Sequence, residues 1–128
     1  MPQTIKLKAP NGQEWEQPTG LFIDNEFVDS SYPANTIASI DPATEKQIVV
    51  VQAASEQDVD RAVQAAKKAL RNPEWKQLCV TQRGRLMAKL ADLMEENKTL
   101  LATIDAWDNG EPHRIHELKT LIVVRKAL

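Results

Sequence analysis

The sequence predicts an α/β polypeptide in which short strands come first and amphipathic helices follow. Three observations carry that expectation. From residue 21 to residue 51 the apolar residues are mostly β-branched or aromatic, and turn-forming pairs such as Asp24-Asn25 and Asp41-Pro42 separate their runs. From Ser55 onward the apolar residues recur at helical spacing. Helix punctuation appears only in this second stretch, as Ser55, Asn72-Pro73 and Asn109-Gly110 with Pro112.

Residues 1–20 are polar, contain Pro10, Asn11-Gly12 and Pro18, and show no sustained period. They read as a polar N-terminal arm with room for a short strand at Ile5-Lys6-Leu7. Leu21 to Asp29 reads as a hairpin, because Asp24-Asn25 tolerates the positive φ of a tight turn. Thr36–Ile40 and Gln47–Val51 read as a second strand pair. Asp41-Pro42-Ala43-Thr44 joins them, with Asp and Pro in the first two positions of a type I turn.

Ser55 is a candidate N-cap for the first helix, its hydroxyl placed to accept from the Asp58 amide, while Glu56 and Asp58 suit the positive helix end. Val59, Ala62, Val63, Ala66 and Leu70 share one face. Asn72-Pro73 stops that helix, since a residue before proline avoids the helical region, and Trp75 falls in the connection. A second helix is expected from about Thr81 with Leu86, Leu90, Leu93 and Met94 on one stripe. A third segment through Leu100, Leu101 and Ile104 ends at Asn109-Gly110. A last helical segment is expected over about 114–127, with Ile115, Leu118 and Ile122 on one face. Four short strands cannot cover several amphipathic helices, so a missing partner is expected: the rest of a larger fold, or another chain.

Composition narrows the function classes. Apolar residues make up 42% of 128, and runs such as Ile48–Val51 and Leu121–Val124 are far too short to span a bilayer. The first residues show no apolar signal region, which points to a cytoplasmic protein with no membrane partner. Net charge is −2, with Lys and Arg scattered among acids, so no nucleic-acid partner is expected. The single cysteine, Cys79, excludes an internal disulfide.

Candidate chemistry is sparse. Cys79 precedes a helix, where amides favour thiolate, but Leu78 and Val80 flank it and it reads as a buried structural cysteine. His113 and His116, with Glu111 and Glu117 nearby, could share a helix face, yet lack the third ligand or H-E-x-x-H frame of a zinc site. They read as surface histidines. Glycines stand only at positions 12, 20, 84 and 110, so no phosphate-cradling loop is formed, and no nucleotide cofactor is expected for this chain alone. Arg83-Gly84-Arg85 reads as a solvated or salt-bridged helix start.

Three stretches resemble the NAD(P)-dependent aldehyde dehydrogenase family, with a flavour similar to its fungal cytosolic type. Leu21 to Asp29 resembles the family's opening hairpin, and Ser39 to Thr44 resembles its "N-P-A-T-G" turn. The run from Trp75 through Arg83-Gly84-Arg85-Leu86, Lys89 to Leu93, Leu101-Ala102-Thr103 and Asp108-Asn109-Gly110 is similar to the family's long helical signature. The resemblance covers residues 21–112 and leaves 113–128 as a divergent helical tail. It departs from the family at Glu45, which stands for a turn glycine and would be strained at positive φ, at Trp107 for leucine and at Glu111 for lysine.

The resemblance implies the N-terminal part of the family's α/β nucleotide-binding domain, truncated. The family oxidises aldehydes to carboxylic acids with NAD or NADP. Its nucleophilic cysteine, general base and nucleotide-binding residues fall beyond this chain's end, and Cys79 does not match the nucleophile's motif. The implied reading is a fragment inactive alone. Its alternatives are a non-enzymatic interaction protein pairing with a full-length homologue, or a piece of an active oxidoreductase. Homo- or hetero-oligomers with aldehyde dehydrogenase subunits are the implied partners. One site transfers by resemblance: a structural monovalent cation held by backbone carbonyls at Ser39 and Ile40 and the Asp108 carboxylate, for which oxygen donors are chemically apt. A plain helix-end role for Asp108 is the competing expectation.

Overall fold

The computed structural model describes residues 2–110. The expected tail helix, and with it Glu111, His113, His116 and Glu117, lies outside the described residues. Six strands precede four helices: β1 (Thr4–Lys8), β2 (Glu14–Pro18), β3 (Leu21–Ile23), β4 (Glu26–Val28), β5 (Thr36–Ile40), β6 (Gln47–Gln52), α1 (Glu56–Arg71), α2 (Pro73–Gln77), α3 (Val80–Glu96) and α4 (Lys98–Asn109). The strands pair as three antiparallel hairpins, β1–β2, β3–β4 and β5–β6. Two compact units result. The first holds the residues up to Lys8 with Glu14–Ile40 and Gln47–Gln77, and the second holds Ala9–Gln13, Asp41–Lys46 and the chain from Leu78.

In the first unit, β1 and β2 run in register from Thr4 opposite Pro18 to Lys8 opposite Glu14. The arm thus carries a full hairpin where the sequence suggested one short strand. Its period was hidden because Ile5, Leu7 and Trp15 stand among polar alternates, yet these are half-buried positions, as are Gln17 and Pro18. The second hairpin is as expected. Asp24 and Asn25 have φ of 53° and 66°, the two positive values of a tight turn, and Phe22 faces Phe27 with ring centroids 5.0 Å apart. In the third, Ser39 pairs with Val49 and Ile40 with Gln47, so Ile48 is an extra residue that bulges β6.

Ser55 caps α1 as expected: Asp58 N–H donates to Ser55 Oγ at 3.3 Å, and Ser55 N–H donates back to Asp58 Oδ2 at 2.9 Å. The helix ends at Asn72, and Pro73 then opens α2, where its missing N–H costs nothing. Trp75 therefore sits on a short helix rather than in an irregular link, and keeps 38% of its surface exposed. The apolar face of α1 is also open, with Val59, Val63 and Leu70 all exposed.

The second unit is built on α3 and α4. Gly110, at φ +76°, closes α4 by donating its N–H to the Ala106 carbonyl at 3.0 Å. What is buried here is small: Ala9, Asp41, Ala91, Ala102 and Thr103. The stripe Leu86, Leu90 and Leu93 on α3 is exposed, Leu90 by 51%. Among the described residues the buried apolar side chains are all small, Pro2 and three alanines. At about 25 cal/mol per Å² of apolar surface removed from water, alanines contribute little, and the large side chains that would contribute most face outward.

Candidate functional site

Ser39 and Ile40 are consecutive on β5, the first half-buried and the second exposed, in the first unit. Asp108 is exposed on the last turn of α4, in the second unit. At the end of α4 the Gly110 backbone N–H bonds the Ala106 carbonyl.

Cys79 is exposed, which corrects its reading as a buried cysteine. It is the N-cap of α3, where its own N–H is satisfied by the Gln82 side chain at 3.0 Å. An N-cap projects from the helix start, so its burial depends on what lies opposite and not on apolar neighbours. Val80, next to it, is itself 86% exposed. Arg83 is half-buried on the first turns of α3, while Gly84 and Arg85 are exposed. Among the described residues no cluster of three or more His, Cys, Asp or Glu side chains could hold a metal ion.

The structure singles out two aspartates that motif reasoning treated as turn and cap residues. Asp41 is buried and takes its bonds from both sides of the second unit. Ala43 N–H donates to Oδ1 at 2.8 Å, Thr44 Oγ1 to Oδ2 at 2.7 Å, and Trp107 Nε1 to Oδ2 at 3.3 Å. The Thr44 hydroxyl and the Ala43 amide hold its carboxyl below the usual carboxylate range against the opposing effect of burial, and Trp107 adds to them. Beside it Asn11 Nδ2 donates to Thr103 Oγ1 at 2.9 Å, fixing the β1–β2 tip to α4. These pins flank a cleft of about 350 Å³ whose walls include Pro10, Ala43, Ala106 and Trp107. Trp107 supplies Asp41 with an N–H that an aliphatic side chain could not.

Asp58, 1% exposed, gathers the first unit in the same way. Ser31 N–H reaches both its oxygens at 3.1 Å, Ser31 Oγ donates at 2.8 Å, Ser30 Oγ lies at 2.9 Å and Arg61 Nη1 at 3.3 Å, besides the Ser55 bonds. The Ser55 backbone N–H is the chief cause that holds its carboxyl far below the ordinary value. Burial opposes it, and the hydroxyls of Ser31, Ser55 and Ser30 reinforce it. A carboxylate whose lone pairs are all engaged is a poor base, so both aspartates act as structural anchors.

Comparison with known proteins gives this arrangement its context. Residues 27–125 match the model of the aldehyde dehydrogenase family. An aldehyde dehydrogenase from Alternaria alternata is 49% identical over 108 residues, which are 84% of this chain and 21% of that protein. Among solved structures, an NAD+ complex of an aldehyde dehydrogenase from Bacillus cereus superimposes with a TM-score of 0.79 at 36% identity, over 87% of this chain and 23% of that one. The NAD+ complex of betaine aldehyde dehydrogenase from Staphylococcus aureus gives 0.80 at 27% identity, over 85% and 22%. The chain spans about a fifth of the length of the relatives it matches. Strands followed by helices are thus the N-terminal part of the aldehyde dehydrogenase α/β fold, and the chain belongs to the aldehyde dehydrogenase family.

Proposed function

We propose that this chain is a structural piece of an NAD(P)-dependent aldehyde dehydrogenase, silent as a dehydrogenase by itself and completed by further aldehyde dehydrogenase polypeptide. The observation that supports it most is the exposure of the apolar face of α1 in the first unit and of the apolar stripe of α3 in the second. Contiguous apolar surface of this kind marks a missing contact. The sequence adds that its one thiol, Cys79, has no base beside it in the motif sense and that its four glycines form no dinucleotide loop. The partner in this reading is an aldehyde dehydrogenase subunit, and the compartment is the cytoplasm.

Two measurements test it. The chain is mixed with NAD+ or NADP+ and a panel of aldehydes, and reduced nicotinamide is followed; turnover above background that persists in Cys79→Ala would overturn the silent reading. The chain is also run by sizing chromatography with and without a full-length fungal relative. A monomer that melts cooperatively, binds no hydrophobic dye and ignores the relative would remove the missing-contact reading.

The same proposal assigns the family's structural monovalent cation to the Ser39 and Ile40 carbonyls and the Asp108 carboxylate. The donors are all oxygen, which suits a hard cation. Thermal stability in sodium, potassium and choline chloride at one ionic strength is the check. Equal stability in all three, or a salt effect unchanged in Asp108→Asn, would remove the assignment.

A further inference from the structure

We infer that Asn11 is a site of spontaneous deamidation, and that its conversion to aspartate or isoaspartate unpins the β1–β2 tip from α4. Asn11 and Gly12 are both exposed. Gly12 has φ +88°, and no heavy atom beyond its chain neighbours lies within 4 Å of where a Cβ would stand, so that side of the residue is open space. Asn11 Oδ1 accepts the Gln13 N–H at 3.1 Å. That donor polarises the side-chain carbonyl and stands where negative charge develops when the amide carbon is attacked. The Gly12 N–H donates to the Ala9 carbonyl at 2.9 Å, a bond in an exposed turn that opens at small cost.

The reaction needs only water. The Gly12 nitrogen gives its proton to solvent and bonds to Asn11 Cγ. The Cγ–Nδ2 bond breaks, and the nitrogen leaves as ammonia with a proton from water. Water then adds to one of the two carbonyls of the cyclic imide and breaks its bond to nitrogen, leaving aspartate or isoaspartate. Nothing is oxidised or reduced.

The consequence follows from which atom holds which proton. Asn11 Nδ2 donates to Thr103 Oγ1, and Thr103 Oγ1 donates its single proton to the Thr99 carbonyl at 2.8 Å. Deamidation replaces the donor by a charged acceptor that faces the lone pairs of a buried hydroxyl. Holding the new carboxylate would require the Thr103 proton to leave the Thr99 carbonyl, so at most one of the two side-chain bonds at Thr103 Oγ1 survives. The second Asn-Gly pair, Asn109-Gly110, is built differently. Asn109 is helical, and the Gly110 N–H is held along the helix on the Ala106 carbonyl at 3.0 Å.

The test holds the intact 128-residue chain at mildly alkaline pH below its unfolding temperature and maps peptides by mass spectrometry for the one-dalton gain. Asn11 should convert several times faster than Asn109 in the native chain, with the two rates converging in urea. Native rates that are equal, or faster at Asn109, overturn the site. Hydrogen exchange of the Asn11→Asp variant tests the unpinning. Exchange at the Gly12 amide should rise about tenfold, the factor for one lost hydrogen bond. Exchange equal to that of the parent overturns it.

Discussion

Replacing Gly110 with alanine sets two costs against one gain, and Gly12 provides the control that separates them. Both glycines have left-handed backbone, at φ +76° and +88°. An L side chain there costs about 1–2 kcal/mol, and alanine's stiffer unfolded chain returns about 0.4–1 kcal/mol, leaving a net loss of roughly 1 kcal/mol at each site. Their surroundings differ. A Cβ at Gly12 meets nothing within 4 Å, whereas one at Gly110 would stand 2.7 Å from Pro42 Cγ. Carbon atoms pack at about 3.5–4.0 Å, so the proline ring or the helix end must move, at the roughly 1–3 kcal/mol typical of overpacking. Gly110→Ala should therefore lose about 2–4 kcal/mol and Gly12→Ala about 1 kcal/mol. Urea titrations followed by far-ultraviolet circular dichroism, with a shared slope, give both values. Equal midpoints for the two variants would show that the Pro42 turn gives way freely and would refute the steric half of the reasoning.

Glu45 holds φ +56° without being glycine, so Glu45→Gly should raise stability by about 0.5–1 kcal/mol, read from the urea midpoint; no gain would mean the side chain repays its strain. Gly84 sits inside α3 with open space around it, and Gly84→Ala should add helicity and about 1 kcal/mol; a loss of helical signal would contradict this. Because the folded Asp58 carboxyl titrates below its unfolded value, its stabilisation is complete above that value and disappears as pH falls through about 4 toward the folded one. Asp58→Asn should be less stable at neutral pH and show a flatter acid limb in pH-dependent melting, and an acid limb as steep as the parent's would assign acid sensitivity elsewhere.

Local chemistry made most of the fold legible. Asp24-Asn25, Ser55 with Asp58, Asn72-Pro73 and Asn109-Gly110 each fix the backbone through groups within a few residues, and each turn or helix end falls where those residues place it. Glu45, expected to be strained, is at positive φ. What the sequence hid is long-range. Ser30 and Ser31 meet Asp58 across more than twenty positions, and Trp107 meets Asp41 across sixty-six, with no periodicity to announce either contact. Burial was hidden for the same reason. Cys79 has apolar neighbours in sequence, but burial needs atoms opposite in space.

Each sheet has only two strands among the described residues, so outer edges remain, although Gln52 at the end of β6 donates its N–H to the Thr19 carbonyl at 2.8 Å. Strands β1, β2 and β4 carry lysines or glutamates that discourage a further strand from adding. β6 carries none: Gln-Ile-Val-Val-Val-Gln is six residues of high β-propensity without a charge, a proline or a glycine. That is the composition of segments that stack identically into fibrils. Overproduction of this chain by itself is therefore expected to set folding against self-templated assembly at β6. Whatever covers that strand acts on solubility as directly as on shape.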